Sequence, residues 1–250
     1  MGAKDFGQDV KFLRQHMDVI VLQDADGEAK VAVVPAWQGR VATSTADGDK
    51  GDSFGWINYA LVESGKTQAH INPYGGEDRF WLGPEGGQYS IFFKGGNPFE
   101  FEYWQTPPVI DTVTYEVKSK SQTSVAFRHK AVIENYSGTK FTVRIDRTIN
   151  LLSEDEAKAA LGVDEGDADL VAYESVNKIT NAGRNEWTKD TGLLSIWVLG
   201  MFKHSPKTTI VVPYKTGSEA ELGPIVNDAY FGKVPAERLK IADGVMYFRG

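Results

Sequence analysis

TVTYEVKSKSQTSVAFRHKAVIENYSGTKFTVRIDRTINLL, residues 112–152, decides the fold class. It breaks at Lys120–Gln122 and at Asn135–Gly138 into three runs, and in the last run Phe141, Val143 and Ile145 alternate with Arg144 and Asp146. A period of two puts successive side chains on opposite faces of an extended chain, so these runs read as neighbouring antiparallel strands with one face on a core.

Working back towards the N-terminus, residues 18–37, DVIVLQDADGEAKVAVVPAW, hold two apolar runs around an Asp26–Gly27 turn, the signature of a hairpin. Arg40–Thr45 reads as a further strand and Phe54–Leu61 as a strand or a short helix. DVKFLRQH, residues 9–16, fits a short helix with Phe12 and Leu13 on its apolar side. Between Lys66 and Pro108, Gly, Pro, aromatic and charged residues crowd together, and only Tyr89–Phe93 (YSIFF) looks like a strand. Long irregular segments in compact domains are usually functional.

Working forward, Ser153, Glu156 and Gly162 supply an N-cap, its capping-box partner and a stop, which predicts a helix over 153–161. The acidic DEGDAD at 164–169 reads as an exposed loop. Strands resume within 170–181, 192–202, 208–214 and 244–250. No repeat or low-complexity linker divides the chain, so the reading is an all-β, antiparallel domain over 1–250 with one short helix. VMYFRG stops on an aromatic strand with no turn or partner after it, which predicts that the natural chain continues beyond Gly250.

Composition narrows the function classes. The net charge is −7 with both signs interspersed, so no basic stripe is available for a phosphate backbone and nucleic acid is not an expected partner. No apolar run is long enough to span a membrane, and the N-terminus lacks the basic and apolar regions of a leader. The absence of cysteine excludes disulfides, thiolate metal sites and a cysteine nucleophile. A periplasmic or secreted location, with the leader missing from this chain, is favoured over the cytoplasm. Histidines at metal-binding spacing, a G-x-S-x-G elbow, a G-x-G-x-x-G fingerprint and a phosphate-binding loop are all missing, so neither a metal nor a cofactor is expected.

The chemistry-bearing residues concentrate in 70–85. His70, Glu77, Asp78 and Glu85 can supply an acid and a base, while Asn72, Arg79 and Trp81 can bind a polar ring, with Arg40 and Trp104 as further candidates. Sugar rings pack an apolar face on indoles and offer hydroxyls to carboxylate and guanidinium groups, so this mixture suits a carbohydrate. The bland alternative is a structural loop in which Arg79 pairs with Glu77 or Glu85 and Trp81 fills the core. A lone histidine is more often structural than catalytic, and His129 reads as a surface or structural residue within its alternating strand.

Residues 19–48, with the turn Gln38–Gly39–Arg40, resemble the opening of galactose-mutarotase-like domains. NPYGGEDRFWLGPEGGQYSIFF (72–93), WQTPPVID (104–111) and NAGRNEWTKDTGLLSIWVLGMF (181–202) are similar to a bacterial, Bacteroidetes-type family of that superfamily, which has no established activity. The resemblance implies a β-supersandwich with a sugar groove on a concave sheet face, and aldose 1-epimerase-like chemistry with a His general acid and a Glu general base. His70 stands where the acid would be. The base would come from late in the chain, where Glu219, Glu221 and Glu237 lie without a recognisable motif. Two functions follow as expectations: anomer interconversion of a sugar without a cofactor, or carbohydrate binding without turnover.

Overall fold

A computed structural model describes residues 4–162, 168–229 and 232–250. Of the acidic loop expected at 164–169, residues 164–167 lie outside the described residues. The chain is all-β, built of antiparallel sheets with four short helices among the described residues, and internal contacts divide it into two compact units, one ending at Phe202 and one beginning at Lys203. The sequence analysis took 1–250 as one domain.

The first unit opens with helix α1 (Phe6–Arg14), whose N-cap Asp5 and Gln8 form a reciprocal capping box. Strands β1 (Ile20–Gln23), β2 (Lys30–Val34) and β3 (Arg40–Thr45) follow as a meander. The β1–β2 connection runs from Asp24 to Ala29, longer than a two-residue turn, because the Asp24 carboxylate accepts from the backbone N–H groups of Gly27, Glu28 and Ala29 at 2.7–3.1 Å. In β2 every residue after Lys30 is buried: Val31 and Val33 enter the main core, while Ala32 meets Phe6 and Val10 of α1 on the other face. Cover on both faces explains why VAVV is a continuous apolar run rather than an alternating one.

Phe54–Leu61 resolves into an irregular lead and helix α2 (Tyr59–Ser64), capped by Asn58 and closed by Gly65 in the left-handed conformation. Strand β4 (Arg79–Gly83) then pairs with β9 (Ser195–Leu199), and an isolated bridge between Val41 and Asp78 sets the start of β4 beside β3. The strand expected at Tyr89–Phe93 is absent. Ser90 donates its hydroxyl to the Glu85 carbonyl and accepts from Phe92 N–H, and Ile91 N–H reaches the Pro84 carbonyl, so these backbone groups are spent locally. Ile91, Phe92 and Phe93 all enter the core instead of alternating.

The decisive stretch forms β5 (Glu116–Lys120), β6 (Ser124–Glu134) and β7 (Lys140–Leu152), joined by β8 (Ala172–Asn181) in a four-stranded antiparallel sheet. β6 and β7 are in register from Ser124–Asn150 to Glu134–Lys140 across the expected turn at Asn135–Gly138. Val125, Phe127, Phe141, Val143, Ile145 and Ile149 point inward to Leu22, Val31, Val33, Phe80 and Leu82 of the facing sheets. Each such side chain contributes about 1.5–3 kcal/mol when fully buried. The result is a β-sandwich. The expected helix appears as α3 (Glu154–Leu161), with Ser153 and Glu156 as its capping box and Gly162 left-handed at its end.

The second unit holds β10 (Thr209–Pro213), helix α4 (Glu219–Leu222), β11 (Leu239–Ala242) and β12 (Val245–Arg249), in sheet order β10–β12–β11. The final aromatic strand is therefore central and paired along both edges, by strands that precede it in sequence. Sequence reading missed β11 and α4, both short and weakly patterned. Among the described residues, no helix is long and apolar enough to cross a membrane.

Candidate functional site

Five of the nine expected site residues, Arg40, Asn72, Glu77, Asp78 and Arg79, lie in a buried polar layer inside the first unit. Arg40 opens β3 after a turn in which Gln38 and Gly39 are both left-handed, and its side chain is fully buried. Its Nη1 donates to the Gly75 carbonyl at 2.8 Å and its Nη2 reaches Gln38 Oε1 at 3.4 Å. Gly75 has φ +97°, and a Cβ there would stand 2.0 Å from the Trp56 carbonyl oxygen, so only glycine lets the backbone come this close. Arg79, at the start of β4, makes its ion pair with Asp111 (2.8 Å), not with Glu77 or Glu85, and stacks 4.4 Å over the Trp81 ring. Asp111 also accepts from Asn72 N–H (3.1 Å) and Asn72 Nδ2 (2.6 Å). Burial of the two arginines lowers their pKa values, and Arg79 adds to the depression at Arg40.

The second half of the layer faces β7 and β8. Asp78 pairs with Arg147, whose guanidinium also donates to the Asp78 carbonyl (2.9 Å), the Gly39 carbonyl (3.1 Å) and Asn177 Oδ1 (2.5 Å). Arg147 continues the inward register of Phe141, Val143 and Ile145, a signal available in the sequence but not used for Arg147. Glu77 accepts from Ser44 N–H at 2.7 Å and from the Ser44 hydroxyl at both carboxylate oxygens, and Tyr173 donates to it as well. Burial raises its pKa to about 7 against the bonds that Ser44 and Tyr173 supply. That value suits acid–base work, but Glu77 is only 4% exposed and its oxygens are already engaged.

The remaining candidates separate into two pairs. Trp81 is buried in the core and its indole N–H donates to Glu85 at 2.6 Å. His70 is half-buried, with Nδ1 2.7 Å from the Trp104 carbonyl and its ring 4.8 Å from Phe101. A carbonyl can only accept, so Nδ1 carries a proton and donates it to Trp104. Trp104 packs edge-on to Phe93 and at 4.4 Å against Phe92. His70, Arg79, Trp81 and Glu85 therefore do not converge on one open hollow: Arg79 and Trp81 fill the interior, Arg79 held by Asp111 and the Trp81 indole N–H by Glu85.

What does open to solvent beside this segment is a cleft of about 730 Å³ between residues 91–109 and strand β6. Phe93, Val109, Ala131 and Ile133 supply an apolar floor, and Lys94, Gln105, His129 and Glu134 supply polar groups around it. His70 and Trp104 stand behind its wall, His70 through a 3.2 Å contact with Gln105 and Trp104 through Phe92 and Phe93. His129 stacks on Tyr115 at 5.1 Å, and burial lowers its pKa. The sequence reads it as a surface or structural residue, and in β6 it is half-buried. Nothing local marked Gln105 or Glu134 as cleft residues, because the cleft forms only when β6 meets the 91–109 segment.

Residues 4–250 match a family described as "Family of unknown function (DUF6786)". No curated protein and no solved structure matches the chain.

Proposed function

The chain belongs to DUF6786, whose description assigns no activity, and we propose from the geometry of the site that it binds a carbohydrate without turning it over. The observation that carries this reading is the cleft over β6, large enough for one or two sugar rings and lined by an apolar floor with hydrogen-bonding groups around it. A sugar presents one apolar face and a perimeter of hydroxyls, and the cleft offers the complement of both. Sugar is also the ligand class implied by the resemblance of residues 19–48 and 72–93 to galactose-mutarotase-like domains.

Turnover needs an acid and a base on either side of one ring, within hydrogen-bond reach. The two titratable groups that the cleft takes from β6, His129 and Glu134, are five positions apart on one strand, which separates their Cα atoms by about 16 Å. Glu77 and Asp78 are sealed in the polar layer. The arrangement favours holding over proton exchange.

Calorimetry of the full chain against a panel of mono- and disaccharides tests the reading, with polarimetry following anomer interconversion of glucose and galactose in parallel. Saturable binding with rates equal to buffer is the expected result. Absence of binding across the panel overturns the sugar reading, and acceleration of anomer interconversion overturns the non-catalytic half of it.

A further inference from the structure

A second, smaller pocket of about 260 Å³ opens near α1 and α2 on the same unit, lined by none of the residues of the cleft over β6. Trp37 and Tyr74 wall it as a nearly parallel stack, 5.0 Å between centroids and 7° between planes. Leu61 and Val62 add apolar surface, and Lys66 lines it from an exposed position.

The charge balance behind that wall is unusual. Arg40 lies on its buried side, with Cζ 5.6 Å from the Trp37 ring and Nη1 bonded to the carbonyl of Gly75, the residue after Tyr74. Asp111 lines the pocket too, but both its oxygens are committed to Arg79 and Asn72. Among the described residues neither Arg40 nor Lys66 has a carboxylate within salt-bridge distance. Arg40 Nε has no hydrogen-bond partner at all, although the side chain is completely buried. A buried guanidinium with an unsatisfied N–H and no carboxylate in direct contact is costly, and a further negative charge placed nearby in a low-dielectric surround offsets that cost. Burial and Arg79 lower the pKa of Arg40, and the opposing field of Asp111 offsets them only in part.

We propose that this pocket binds a small organic anion made of a single ring carrying one acid group, with the ring against the Trp37–Tyr74 wall and the acid group between Lys66 and the field of Arg40. The volume admits one six-membered ring and excludes a nucleotide or a disaccharide. The inference is independent of the carbohydrate reading, since no residue lines both pockets.

Benzoate and its neutral isostere benzamide, titrated calorimetrically into the full chain at low ionic strength, separate charge from shape. Benzoate binds at least about tenfold more tightly than benzamide, added salt narrows the gap, and Lys66→Glu weakens benzoate about tenfold while leaving benzamide unchanged. Lys66 is exposed, so this variant folds where an Arg40 substitution could fail. Equal affinity for the two probes, binding of neither, or an unchanged benzoate affinity in Lys66→Glu overturns the proposal.

Discussion

The buried polar layer and the cleft over β6 contain the same kinds of residue and treat them in opposite ways. In the layer, Asp111 neutralises Arg79, Arg147 neutralises Asp78, and Ser44 and Tyr173 occupy Glu77. In the cleft, Lys94, Gln105 and Glu134 are exposed beside an apolar floor. Polar groups inside a sandwich must find partners to offset their lost hydration, and once they have them little is left to offer a ligand. A high density of acids, bases and guanidinium groups therefore marks where desolvation is managed, and the place with chemistry to spare is the one where water still reaches.

The sharpest way to break this contrast is to remove one member of a sealed pair. Asp111→Ala strands Arg79 beside Arg40 with no carboxylate and leaves both Asn72 donors unpaired. Loss of one partner of a buried ion pair costs about 3–5 kcal/mol, read as a drop in the free energy of urea unfolding. A loss under about 1 kcal/mol would mean that water enters the layer, and the distinction between the two regions would collapse.

Glu77 gives the next largest effect, through pH. Its folded pKa is about 7 and its ordinary value 4.5, so between those values the folded state holds a proton that the unfolded chain has released. The folded state then binds more protons, and stability falls as pH rises from about 4.5 to about 7, by up to about 3 kcal/mol. Glu77→Gln keeps the shape and an acceptor for Ser44 but cannot ionise. It is expected to remove this slope and to be the more stable protein at pH 8. His129, with its lowered pKa, pulls in the opposite direction, so the measurement that decides is the difference between the two proteins from pH 5 to pH 8. Parallel profiles would show that Glu77 ionises freely and that the layer is not sealed around it.

The framework was legible where local pattern and fold agree: the alternation in β7, which shows one face to the core, and the Ser153–Glu156 capping box are patterns that the fold preserves. Where tertiary packing outranks local pattern, reading failed. Ile91, Phe92 and Phe93 look like strand residues, yet the core draws all three inward from an irregular backbone. The candidate site failed for a related reason. Sequence reveals that Arg79 and Asp78 need partners, but those partners are Asp111, 32 residues away, and Arg147, 69 residues away. No spacing rule reaches that far. Part of the irregular segment 66–108 lines the cleft, whose far wall is β6.

The smallest effect on stability, and the one that gives the contrast its functional content, belongs to Glu134. It ends β6 in an exposed position, paired with Lys140 at 3.6 Å where both side chains are more than half exposed. Such a pair contributes little, so Glu134→Ala changes unfolding free energy by no more than about 0.5 kcal/mol. If the cleft holds a sugar, the same substitution removes a carboxylate from its lining and weakens binding by about tenfold, equivalent to about 1.4 kcal/mol. Together the two numbers identify a residue kept for a ligand, because a structural role would move stability and leave affinity alone. A variant that loses stability without losing affinity would place Glu134 with the sealed layer and leave the cleft without the chemistry assigned to it.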